Sequence, residues 1–201
     1  MTQKSEIFSF FPSFLQVSEI NGAEELNKTF MAGIKKVQKT EPNTKPDSWA
    51  CTVYTTINSP KMLLEYEEFE PLRDIIMREA TKFAKVMKFD LRKQPLILNE
   101  CWLNVYGPSD SQEAHVHGNH VLSGNYYVKA PEGCGEFLLH SPYADTMFNP
   151  PYTKMNELNM TAAPIQPKDG LMLMFRSFLK HSVKPSQCKE QRVSISFNLT
   201  I

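Results

Sequence analysis

Cys101–Tyr127 reads CWLNVYGPSDSQEAHVHGNHVLSGNYY, and at its centre stands His115-Val-His117. Side chains alternate across an extended segment, so both imidazoles are expected on one face of a strand. Three of the chain's five histidines, His115, His117 and His120, fall inside this stretch. His140 and His181 follow downstream, with His181 placed after the apolar segment GLMLMF. A close pair on one strand plus a distant histidine suits a metal held between strands. Neutral imidazole is a common ligand for iron, zinc, copper and nickel.

Outward from this centre the pattern is mainly β. Pro95–Tyr106, Val121–Lys129, Glu136–His140, Gly170–Phe175 and Arg192–Ile201 are strand-like and separated by turn-rich pieces. Ser141–Lys168 carries Pro142, Pro150, Pro151, Pro164 and Pro167, and reads as a long loop, either functional or partly disordered. Upstream, Glu24–Lys39 and Phe69–Lys88 have helical apolar spacing, and Trp49–Asn58 reads as a strand beyond the loop Thr40–Ser48. Ile7–Ile20 is aromatic around Pro12 and reads as a short entry strand broken by a turn. The stripe Leu72, Ile75, Ile76, Ala80, Phe83, Met87 is core packing and carries no function. Two helices ahead of a run of strands imply helices packed outside a β-sandwich or barrel.

Composition bounds the function classes. With 201 residues, 41% apolar and 22% charged, the chain is long enough for one domain with a proper core. Lys+Arg and Asp+Glu balance at 22 each, so no general field favours nucleic acid or an anionic membrane. The start, MTQKSEIFSFFPSF, has no apolar h-region behind a basic end, and no apolar run approaches the ~20 residues of a membrane span. Four cysteines, Cys51, Cys101, Cys134 and Cys188, form no CxxC pair and read as free thiols in a reducing compartment. The expected setting is cytoplasmic.

His120 and His140 are read as polar loop or sheet-edge residues. On Arg192–Ile201, alternation puts Arg192, Ser194, Ser196 and Asn198 on one face and Val193, Ile195, Phe197 and Leu199 on the other. Arg192 is either an exposed salt-bridge partner or a two-pronged donor to a carboxylate inside a barrel.

The succession HVH, LSGNYYV, G-x-F-x-L, PxxGLMLMF, a distal histidine and RVSISFN resembles the Fe(II)/2-oxoglutarate-dependent oxygenases. The nearest likeness is a small bacterial and phage group with a His-x-His motif, clear from Trp102 onward and weaker before residue 94. The resemblance implies a double-stranded β-helix, or jelly roll, with N-terminal helices packed outside. Residues 1–94 would form a supporting region and 95–201 the metal-binding core of a single domain. His115 matches the first iron ligand and His181 the distal one. Arg192 matches the residue that pairs with the far carboxylate of 2-oxoglutarate, and Ser194 the hydroxyl two positions on. The usual motif has an acidic residue where this chain has His117, so a three-histidine set of His115, His117 and His181 is expected. A carboxylate from Asp110 or Glu113 is the alternative. Asn104 and Tyr127 are further candidates to contact 2-oxoglutarate. The implied activity is hydroxylation with release of succinate and CO2, using Fe(II), 2-oxoglutarate and O2, with ascorbate as a supporting reductant. A homodimer joined through the IFSFFPSF edge is a further expectation.

Two rivals share the histidines. A three-histidine metal cupin enzyme would need no buried arginine, and a non-catalytic jelly-roll binding module would need no metal at all.

Overall fold

The computed structural model describes residues 4–146 and 148–201; the first three residues of the N-terminal stretch and Met147 of the proline-rich piece lie outside them. The order of elements is β1 (Leu15–Glu19), α1 (Ala23–Thr40), β2 (Tyr54–Thr55), α2 (Glu70–Val86), β3 (Ile97–Tyr106), β4 (Gln112–His115), β5 (Leu122–Lys129), β6 (Phe137–His140), β7 (Ala162–Ile165), β8 (Leu171–Arg176), β9 (His181–Val183) and β10 (Arg192–Thr200). They form a six-stranded sheet ordered β1-β8-β5-β10-β3-β2 and a four-stranded sheet ordered β4-β9-β6-β7, with antiparallel pairing throughout. Two antiparallel sheets with helices on one side are the expected jelly roll.

The two faces of β10 divide the molecule. Val193, Ile195, Phe197 and Leu199 belong to the larger core, together with Phe30, Ile34 and Val37 of α1 and Leu72, Ile76, Ala80 and Phe83 of α2. The helices therefore cover the outer face of the large sheet by burying one apolar stripe each. A smaller core of Phe137, Leu139, Leu173, Phe175 and Leu179 lies between the sheets. Arg192, Ser194, Ser196 and Asn198 are buried on that inner side, and they are the polar face read from alternation.

The large sheet is tight where β5, β8 and β10 meet. A Cβ on Gly124 would lie 2.4 Å from the Leu173 carbonyl oxygen and 2.4 Å from Phe197 Cζ. The backbone contact has no room to yield, so Gly124→Ala is expected to cost about 2 kcal/mol. The measurement is the urea midpoint at unchanged slope.

Three segments depart from the sequence expectation. Of Trp49–Asn58 only Tyr54–Thr55 pairs as strand. Side chains hold the segment before it instead: Glu113 accepts from the Ala50 N–H at 2.7 Å and Asp110 from the Thr52 N–H at 3.2 Å. Of Ile7–Ile20 only Leu15–Glu19 joins the sheet, as an edge against β8. Phe11 has φ 58 and Pro12 follows it without an N–H, so the ladder cannot extend back through them. The proline-rich piece contains β7, which pairs with β6. Among the described residues no helix is long and apolar enough to cross a membrane.

Candidate metal centre

β4 and β9 set the centre. His115 ends β4 and stands opposite His181, the first residue of β9, in antiparallel register. His117 lies just past the strand, where its N–H is taken by the Ser177 carbonyl at 3.0 Å. The pair is thus not on one regular strand, because the β4–β9 register slips between Gln112 and His115 and ends there. The rings nonetheless converge. Centroid separations are 5.2 Å for His115–His117, 4.3 Å for His115–His181 and 5.0 Å for His117–His181. One nitrogen from each of the three lies within 4.8 Å of the others, and they could hold a metal ion.

The second nitrogens show which face is offered. Nδ1 of His115 lies 2.7 Å from the Glu113 carbonyl, Nδ1 of His181 3.0 Å from the Leu179 carbonyl, and Nδ1 of His117 2.7 Å from Asn198 Oδ1. A carbonyl oxygen only accepts, so each Nδ1 carries the proton and each Nε2 presents a bare lone pair. Asn198 is held in turn: its Oδ1 accepts from Ser123 Oγ at 2.7 Å and its Nδ2 donates to Glu100 at 2.6 Å. Phe137 and Phe175 pack on His181 at 5.5 and 4.8 Å, and Trp102 stacks on His117 at 5.9 Å.

Burial keeps the cluster neutral. It lowers the pKa of His115, and with neighbouring imidazoles it brings His117 to about 4 and His181 to about 3. No proton need leave before a cation binds. The sign for stability follows. Between pH 6.5 and 4 the unfolded chain takes up protons that the folded cluster refuses, so this contribution is full above pH 6.5 and is lost as pH falls through the folded values. The metal-free protein is expected to show a falling urea midpoint over that range, with a shallower fall in His117→Gln.

Asp110 and Glu113 do not complete the set. Asp110 accepts from Thr52 Oγ1 and the Gly107 N–H, and Glu113 from the Ala50 N–H and Gln112 Nε2. His140 Nε2 is tied to Ser182 Oγ at 2.8 Å, away from the cluster. His120 stands in the cavity wall, 3.3 Å from Glu100.

The histidines open into a cavity of about 320 Å³ whose wall includes Arg192, Asn104 and Tyr127. Arg192 is 2% exposed. One terminal nitrogen donates to the Gly135 carbonyl at 3.0 Å, and the guanidinium lies 4.0 Å from the Tyr106 ring centroid and 5.7 Å from that of Tyr127. Its Nε has no partner, and no carboxylate pairs with it among the described residues. A buried cation left this way lacks the counter-charge that would offset its desolvation. Asn104 sits 2.9 Å from Ser196 Oγ, so its amide is already engaged. Ser194 is buried in register with Asn104 and Tyr127 but does not line the cavity.

Sequence reading passes over Tyr106 and Asn198. Both were accessible to alternation: Tyr106 lies two positions beyond Asn104, and Asn198 is on the Arg192 face. Burial pushes the Tyr106 phenol up to about 12, so it stays a neutral donor beside the guanidinium.

Residues 100–198 match the model of a family described as "Putative 2OG-Fe(II) oxygenase". Among solved structures, a prolyl-4-hydroxylase from Pseudomonas putida is similar at TM-score 0.58 and 12% identity, covering 94% of this chain and 92% of that one. HygX from Streptomyces hygroscopicus, solved with nickel and 2-oxoglutarate bound, gives 0.62 and 13%, covering 94% and 83%. The viral collagen prolyl hydroxylase of Paramecium Bursaria Chlorella virus-1 gives 0.57 and 16%, covering 93% and 96%. No curated protein matches the chain in sequence.

Proposed function

We propose that this chain, a 2-oxoglutarate-dependent non-haem iron oxygenase, holds its iron with Nε2 of His115, His117 and His181 and its oxo-acid with Arg192. The observation that carries the ligand set is the shared orientation of three neutral imidazoles, each with Nδ1 tied to a carbonyl-type oxygen. The buried, unpaired guanidinium in the same cavity supports the second half.

When bound together, iron, 2-oxoglutarate and O2 supply the oxidation, in which the oxo-acid gives succinate and CO2 and a substrate C–H bond is hydroxylated. The chain's own work is placement. The Nδ1 ties keep the imidazoles from turning, so the lone pairs are in position beforehand. Arg192 fixes the far carboxylate with a two-pronged contact, helped by the Tyr106 and Tyr127 rings on which it rests. Phe137, Phe175 and Trp102 keep water from the inner side of the histidines. Asn104 and Tyr127 complete the oxo-acid's surroundings, with Ser194 beside both of them in the ladder. Residues 1–94 act as scaffold to the core 95–201 within one domain, since both helices bury their stripes on the large sheet. Exposed Phe8, Phe10 and Phe11 beside the edge strand β1 support a homodimer, readable by sedimentation. Four free thiols suit a cytoplasmic setting.

The test is an anaerobic titration with Fe(II) and then 2-oxoglutarate, followed by the visible metal-to-ligand charge-transfer band. A band that forms with both and weakens in Arg192→Ala is the expected result. Tight metal binding without any band would favour the three-histidine cupin reading, and no metal binding would overturn the ligand set.

A further inference from the structure

We infer that the substrate presents a cationic nitrogen to this cavity and that Glu100 receives it; this rests on the oxygenase reading above. Among the described residues lining the cavity only Arg192 and Glu100 are of acidic or basic type, histidines aside. They stand far apart along one ladder. Arg192 pairs with Tyr106, and Glu100 pairs with Asn198, six residues further along β10. At about 3.3 Å per residue that is roughly 20 Å of strand. His117 is tied to Asn198 and so belongs to the Glu100 end. The oxo-acid occupies the Arg192 side of the histidines, which leaves Glu100 as the charged group on the substrate side.

The state of Glu100 suits this role. Its two contacts, from Asn198 Nδ2 at 2.6 Å and His120 Nε2 at 3.3 Å, both fall on Oε2. Neither partner is a lysine or an arginine, so no permanent cation cancels the charge. Oε1 has no partner among the described residues, and the side chain is 48% exposed at the cavity wall. The carboxylate is thus pinned through one oxygen and open at the other. Trp49 and Val116 stand in the same wall and offer an apolar surface, with an aromatic face that also favours cations. A bound ammonium or guanidinium would be tied through Glu100 and Asn198 to the His117 ring. That chain of contacts fixes a C–H bond near the charged group relative to the metal.

The test uses the protein loaded with Ni(II) and 2-oxoglutarate, with binding followed by calorimetry. Benzylamine, benzyl alcohol and benzoate serve as probes of one shape and three charges. Benzylamine is expected to bind at least about fivefold more tightly than benzyl alcohol, and benzoate more weakly than either. Glu100→Gln keeps an acceptor for Asn198 and should erase the preference, while Glu100→Lys should move it to benzoate. Free lysine and a blocked peptide with one lysine then separate a free amine from a protein side chain. Equal affinity of the probes in the parent, or a benzylamine preference that survives in Glu100→Gln, would overturn the inference and leave the oxygenase reading intact. Failure of the parent to bind Ni(II) and 2-oxoglutarate at all would overturn both.

Discussion

His181→Ala is expected to weaken Ni(II) or Fe(II) binding by about 100-fold or more, and His117→Asp by about 10- to 100-fold. The first follows from position. His181 is 5% exposed and faces His115 across the β4–β9 pair, and among the described residues only His115 and His117 join it in the cluster. The second is the sharper claim, because the substitution restores the acidic residue of the usual motif. On charge alone a carboxylate should bind a divalent cation better than a neutral ring. The surroundings oppose it. Asn198 Oδ1 accepts from the His117 Nδ1–H and from Ser123, while its Nδ2 donates to Glu100. An aspartate would set a carboxylate oxygen against that carbonyl oxygen, and turning the amide over would set the carbonyl against Glu100 instead. It would also place a second negative charge next to the first. Calorimetric titration of both variants with Ni(II), beside far-UV circular dichroism to confirm folding, decides the matter. A His117→Asp protein that binds as tightly as the parent would show that the ring at 117 is interchangeable with a carboxylate.

Local periodicity made the strong elements legible. Both helices are where apolar spacing and dipole-matched charges put them, because each has one stripe to bury and the sheet supplies the partner. The long strands β3, β5, β8 and β10 are likewise continuous with their β-branched and aromatic runs. Of the short strands, β6 falls within Glu136–His140 as expected, and β4 stops at His115 where a strand through His117 was expected. β7 and β9 were not legible, one lying in the proline-rich piece and the other being only three residues held by its pairing. The site shows the same division. The histidines announce themselves by residue type and spacing, and Arg192 by its place on a polar strand face. Asn198 shares that face but not a telling residue type, and Glu100 shows neither, since an amide and an exposed acid are ordinary strand residues until a partner 81 positions away comes to rest on one of them. Likewise, the strand expected over Trp49–Asn58 is present only at Tyr54–Thr55, on information absent from the segment: the Ala50 and Thr52 amides are claimed by Glu113 and Asp110, more than 50 residues downstream.

Arg192→Met should separate binding from stability. Calorimetric titration of 2-oxoglutarate into the Ni(II)-loaded variant is expected to show affinity reduced by about 100-fold or more, while the protein without oxo-acid melts no lower than the parent. The loss follows from leaving one carboxylate of the ligand buried with no cation opposite, which typically costs about 3–5 kcal/mol. The stability expectation has the opposite origin. In the protein alone Arg192 is a desolvated cation with one carbonyl contact, two tyrosine rings and an orphaned Nε. A methionine of similar length fills the space beneath Tyr106 without that desolvation cost. Were the arginine structural, the outcome would invert: the melting temperature would drop and oxo-acid affinity would follow only as far as folding did. Arg192→Lys sharpens the contrast, because it keeps the charge but lacks the planar fork and is expected to recover only part of the affinity. Loss of oxo-acid binding at an intact melting temperature would mark Arg192 as a residue kept for an anion, and Arg192 lines the same cavity as the histidines, where the oxo-acid is proposed to sit.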